Sequence, residues 1–230
     1  MKKTVYKSLR LQKSSLLFML LFATKTLMSQ EMIQEVTGPK RAHEIGVNVT
    51  ELLSNFLSFT NTAVSTDPYF LVYKKLNTKR TGALRAGIGL RMRNESNDRS
   101  GLNNKLKLNN VNLRIGYEWR YSITSRWLFY PGMDLYYDHS DSYQEIETRF
   151  DKSVLKSNSN SVGLGLVLGT QFEISKRISI GTEAALTLKT GWGKFSENFQ
   201  AFPNQNTESK SKSTNISQIP PTSLYLLVRF

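Results

Sequence analysis

Residues 107–121 read KLNNVNLRIGYEWRY. From Val111 onward every second residue is apolar: Val111, Leu113, Ile115, Tyr117, Trp119 and Tyr121. The interleaved set is small, polar or charged: Asn110, Asn112, Arg114, Gly116, Glu118 and Arg120. Successive side chains of an extended chain point to opposite faces, so this alternation predicts a β-strand with one apolar and one charged face. A helix would need its apolar residues three and four apart.

The same alternation recurs outward from this stretch. Trp127 to Asp138 sets Trp127, Phe129, Pro131, Met133, Leu135 and Tyr137 against Leu128, Tyr130, Gly132, Asp134, Tyr136 and Asp138. Ala83–Arg93, Ser161–Ile174 and Ile178–Gly191 repeat the pattern, with Leu84, Leu166 and Leu186 typical of one face and Arg85, Gly165 and Glu183 of the other. Shorter strands are predicted at Glu44–Thr50 and Leu224–Phe230, and a less clearly sided one at Pro68–Leu76. Tight connections at Asn77–Arg80, Ser122–Arg126 and Ser175–Arg177 alternate with long polar stretches at Glu51–Asp67, Asn94–Leu106, Ser140–Asn160 and Lys194–Gln218. The expectation is an all-β chain folded as an eight-stranded antiparallel up-and-down transmembrane β-barrel, with turns at one end and long loops at the other. Pro131 cannot donate to a ladder, so a bulge is expected there. The stretch ELLSNFLSF, Glu51–Phe59, reads as apolar packing at the rim or an extended first strand, with a short interfacial helix as the alternative.

Composition narrows the chemistry. The chain has 230 residues, no Cys and two His, which excludes disulfides, thiol catalysis, thiolate metal sites and acylation at Cys. No cofactor is expected. Residues 1–30 read as a cleaved signal peptide: Lys2, Lys3, Lys7, Arg10 and Lys13 precede the apolar run Leu16–Ala23, too short to span a bilayer. The barrel domain is then 31–230. It carries 25 of the 31 basic residues and all 18 acidic ones, a modest scattered excess that argues against nucleic-acid binding.

Alternation alone does not say which face is inside. The apolar faces carry no charge, whereas the opposite faces carry Arg85, Arg91, Arg93, Arg114, Arg120, Lys189 and Arg229 with Glu44, Glu118, Asp134, Asp138, Glu173 and Glu183. A charge on a lipid face costs about 2–4 kcal/mol at mid-membrane, so the clean face is read as the lipid face. Almost all the strand glycines fall on the charged face, as an eight-stranded interior with little room demands. A charge network is expected from Glu44, Arg85, Arg91, Arg114, Glu118, Asp134, Glu173, Glu183, Lys189 and Arg229. Aromatic girdles are expected from Trp119, Tyr121, Trp127, Phe129 and Phe172 beside the turns, with Tyr69, Tyr137 and Trp192 near the loops.

The terminal SLYLLVRF, ending on Phe230, resembles the last strand of Gram-negative outer-membrane β-barrel proteins. As architecture the likeness extends over the mature chain and is to the small OmpX, OmpA-transmembrane-domain and PorT-like class. The resemblance implies an outer-membrane location with both termini periplasmic and Phe230 as a signal to the barrel assembly machinery. It also implies outer-membrane lipid and lipopolysaccharide as surroundings, and loops open to a protein or glycan partner. The expected role is structural, adhesive or accessory to an envelope complex, without catalysis. Two alternatives remain at this point. One is a lipid A-modifying enzyme near His139, where the expected H-x-S spacing is missing because Asp141 stands two residues on. The other is a soluble periplasmic lipocalin-like carrier with the apolar face inward.

Overall fold

The computed structural model describes residues 42–50, 52–53, 68–99, 102–147 and 151–230. The signal-peptide region and most of Glu51–Phe59 lie outside the described residues. Thr50, Leu52 and Leu53 form the start of a helical turn.

The strands are β1 (His43–Asn48), β2 (Leu71–Leu76), β3 (Gly82–Arg99), β4 (Leu102–Trp119), β5 (Tyr121–Ser122), β6 (Trp127–Glu147), β7 (Lys152–Glu173), β8 (Ile178–Phe199), β9 (Thr207–Ile219) and β10 (Leu224–Arg229). Each pairs antiparallel with its neighbour, in the order β1-β2-β3-β4-β6-β7-β8. β10 closes the ring by pairing with both β8 and β1. β5 continues β4, and β9 with β10 forms one broken strand along β8, so the ring has eight strands.

The faces settle which way the barrel is turned. Leu84, Ile115, Leu135, Leu164, Leu166, Leu168, Leu186 and Val228 are exposed on the outside, while Arg85, Glu118, Asp134 and Glu183 are buried within. A carrier with an apolar interior is therefore the wrong way round for this chain. The interior also holds Tyr69, Val72, Tyr130, Tyr136, Val167, Tyr225 and Leu227. Glycine makes room for the tyrosines, since a Cβ at Gly169 would strike the Tyr130 ring and one at Gly165 the Tyr136 ring.

Two of the short turns share one device. Thr124 Oγ1 accepts from the Trp127 amide at 3.1 Å, and Ser175 Oγ accepts from the Ile178 amide at 3.1 Å. The hydroxyl stands in for a backbone carbonyl and fixes the reversal. In the third turn Arg80 takes φ 57°, and the Asn77 amide donates to the Gly82 carbonyl at 2.9 Å.

Two expectations need correction. Three of the four stretches read as long loops, Asn94–Leu106, Ser140–Asn160 and Lys194–Gln218, are mostly β-ladder, and most of the fourth, Glu51–Asp67, lies outside the described residues. β6, β7 and β8 run for 21, 22 and 22 residues, twice the roughly 9–11 residues a membrane-spanning strand needs. They rise past the apolar belt as extended hairpins, with only short tips between them. The expected bulge at Pro131 is absent as well. Glu118 pairs with Gly132 and Tyr121 with Phe129, so no extra residue is inserted between them. The ladder simply lapses opposite the proline, which has no N–H to give. A true irregularity sits elsewhere: Ala185 pairs with Ile219 and Thr182 with Leu224, so Glu183 and Ala184 face the four residues 220–223, which include Pro220 and Pro221.

Leu166→Arg, on the lipid face of β7, will destabilise the barrel by about 2–4 kcal/mol in urea titrations in phosphatidylcholine vesicles. Asn158→Arg, further up the same strand, will leave the midpoint nearly unchanged.

Candidate functional site

The alternating strands deliver one side chain in two to the interior, and the charged ones meet in three tiers. The middle tier is the most buried. The Arg85 guanidinium lies 2.6 Å from Glu183, 3.3 Å from Glu118 and 3.3 Å from Asp134. Arg114 reaches Glu183 at 2.9 Å and Asp134 at 3.7 Å. Lys74 reaches Glu118 at 2.8 Å and sits 4.0 Å above the Tyr130 ring, while the Tyr130 hydroxyl donates to Glu183 at 2.9 Å. Three cations and three carboxylates thus share one buried core. Buried charges persist when each is paired and hydrogen-bonded.

The tier beside the short turns joins Arg229 to Glu44 at 2.7 Å and to Glu173 at 2.8 Å. Arg120 reaches Glu44 and Gln171, and Gln171 donates to Ser179 at 2.6 Å. The tier toward the hairpins pairs Lys189 with Asp138 at 2.7 Å, with Asn112 and Ser161 also donating to Asp138. Above it opens a groove of about 200 Å³ lined by Asp138, Ser140, Ser159, Ser161, Gly191 and Ser213 among others.

The structure thus brings together Glu44, Arg85, Arg114, Glu118, Asp134, Glu173, Glu183, Lys189 and Arg229. Arg91 does not join them: it is exposed, because β3 has by then risen above the barrel. Lys74, which the alternation does not single out, joins them. Its signal was the doublet Lys74–Lys75, which in any strand must send one lysine inward.

Of the girdle residues, Trp119, Tyr121, Trp127, Tyr137 and Trp192 are exposed and outward, and Phe129 and Phe172 are half-buried. Trp127 packs on Phe172 with ring centroids 5.0 Å apart. Tyr69 is the exception, at 1% exposure. The chain bends at Phe70 before β2 begins, so Phe70 takes the outward place. The Tyr69 ring turns inside under the Arg114 guanidinium, 4.4 Å away. Phe230 exchanges backbone hydrogen bonds with His43 and stacks on its ring at 5.8 Å.

His139 faces outward with Nδ1 2.9 Å from the Asn160 amide oxygen. Ser140 is bonded instead to Asn110. At the far end of the β6–β7 hairpin, Glu145 accepts from the Tyr143 hydroxyl at 2.7 Å, with Lys152 at 3.0 Å and Lys105 at 3.4 Å. These contacts, the tyrosine bond foremost, hold its carboxyl down to about 2.

A closed, lipid-facing barrel with its ionic side chains turned inward defines an integral outer-membrane β-barrel protein. The chain belongs to the family described as Legionella pneumophila major outer membrane protein precursor, whose model matches residues 52–223. Compared by sequence with the curated proteins, the chain finds no match. Among solved structures it is similar to the ferric yersiniabactin uptake receptor FyuA from Yersinia pestis, at 9% identity and TM-score 0.40. That match covers 64% of this chain and 23% of the receptor. It is also similar to Acinetobacter baumannii CarO, at 11% identity and TM-score 0.36, over 84% of this chain and 98% of that one.

Glu183→Ala, which strips Arg85, Arg114 and Tyr130 of a shared acceptor, will cost about 3–5 kcal/mol in denaturant unfolding of the barrel. The Glu145 carboxyl will titrate near 2 by NMR, and Tyr143→Phe will raise that midpoint. Because the folded value lies below the ordinary 4.5, the hairpin keeps this contribution above about 4.5 and loses it as pH falls toward 2.

Proposed function

We propose that the chain is a closed, non-enzymatic barrel of the outer membrane, serving as a structural, adhesive or accessory element of the envelope. The observation that carries this reading is the middle tier. Six charged side chains from β2, β3, β4, β6 and β8 fill the bore where a channel would run. Eight strands leave space only for side chains, whereas aqueous pores need about 16–18.

In this reading the termini and short turns face the periplasm and the long hairpins stand outside the cell. Phe230 serves as the mark read by the assembly machinery, and lipopolysaccharide surrounds the upper belt. The hairpins supply the surface for a protein or glycan partner. The alternative of catalysis at His139 draws no support from the contact at its Nδ1, which is to the Asn160 amide oxygen.

The reading predicts no steady conductance when the purified barrel is inserted in planar bilayers. Resolved open-channel steps at neutral pH would contradict it.

A further inference from the structure

The outer wall of the β8–β9 hairpin carries a feature that the interior does not explain. Leu186, Leu188 and Ile216 are its last exposed aliphatic side chains facing lipid. The next cross-strand pairs are Thr190 with Thr214, Trp192 with Lys212, and Lys194 with Lys210. Alternation puts Trp192, Lys194, Lys210 and Lys212 on the same outward face as the aliphatics. Trp192 is 47% exposed.

Height fixes the surroundings. At roughly 3.3 Å per residue along a tilted strand, these side chains stand about 10–15 Å beyond Leu188. That is the headgroup level, where exposed Trp is favoured and lysine stems reach back along apolar surface. Lys194 directly opposite Lys210 is an arrangement that sheets avoid, since like charges there repel. The local acid does little to relieve it. Glu208 lies 3.9 Å from Lys194, with both side chains more than 60% exposed. Among the described residues, Lys210 and Lys212 have no carboxylate partner. On the neighbouring strands, Lys156 adds a further cation above the Tyr143 ring, and Asp141 pairs across with Asn158. Three lysines held together at membrane-surface height call for a multivalent anion.

We propose that Lys194, Lys210 and Lys212, with Trp192 beside them, bind the phosphate groups of a glycolipid headgroup in the outer leaflet. The inference rests on the reading that the hairpins face outward from the cell. Lysine ammonium groups neutralise phosphate as point charges, and the indole lies against the sugar or acyl boundary.

The test uses the full mature chain refolded into phosphatidylcholine vesicles doped with bisphosphorylated lipid A, or with the same lipid dephosphorylated. Native mass spectrometry after detergent extraction counts the glycolipid retained. The wild-type chain will keep bisphosphorylated lipid A and release the dephosphorylated form. Lys194→Gln with Lys210→Gln and Lys212→Gln will weaken retention roughly a hundredfold, at about a factor of five per lysine. The triple Arg variant will retain it. Equal retention by the Gln variant, or equal retention of both lipids, overturns the proposal. Heat-dependent gel mobility of the same samples separates the failures. If wild type shows no shift, the barrel reading falls; if the shift persists and retention ignores the lysines, only the lipid site falls. Surface biotinylation of intact cells tests orientation on its own. Labelling of the hairpin lysines only after permeabilisation would remove the outer-leaflet assignment.

Discussion

The contact on which the rest of the structure depends is the one between Glu183 and the two guanidinium groups of Arg85 and Arg114, 2.6 and 2.9 Å away. A closed eight-stranded ring has too small a bore to be left open and too large a wall to be filled by backbone alone. Something must occupy it. In this chain the occupant is ionic, and ions in a dry interior are tolerable only in mutual pairing. Five strands must then bring their charges to one height, so the network fixes register as well as filling space. The same demand explains the glycines. Gly165 and Gly169 yield their volume to Tyr136 and Tyr130, and Tyr130 donates to Glu183.

Outside the wall the constraint is the reverse. Hydrocarbon offers no partner to a charge, so the outward positions through the belt are uncharged and mostly aliphatic or aromatic, with Thr170, Thr182 and Gln218 among the few polar ones. The belt is short, and β6, β7 and β8 continue well past it. Beyond lipid the contrast between faces disappears, and the hairpins are polar on both sides. They are held by the ladder and by contacts such as Glu145 with Tyr143 and Lys152. The proposed headgroup site lies where these two regimes meet.

What could be read in the sequence follows this division. Where one face met lipid and the other met ions, period-2 alternation was plain, as in Val111–Tyr121, and it led to strands, sidedness and most of the interior charges. Where both faces meet water the alternation has no physical cause, so Ser140–Asn160 reads as a loop although 140–147 and 152–160 are strand. Arg91 shared the parity of Arg85 but stood above the barrel, a matter of height that alternation does not encode. Alternation puts Tyr69 outward, but a bend before β2 shifts the phase, and it leaves Lys74 without a side because β2 offers adjacent lysines. Pro131 looked like a bulge, yet the ladder tolerates the missing donor without changing register.

The central claim is that alternate residues face lipid and a charged interior. The chain has no native cysteine, so single cysteines bearing a fluorophore will report on it directly. Labels would be placed at Met133, Leu135, Leu166 and Leu168 on one parity, and at Asp134, Tyr136 and Val167 on the other, in vesicles whose acyl chains carry bromine. Strong quenching at the first set with little at the second is the result the structure predicts. Equal quenching at both sets, or quenching confined to the second, would contradict it.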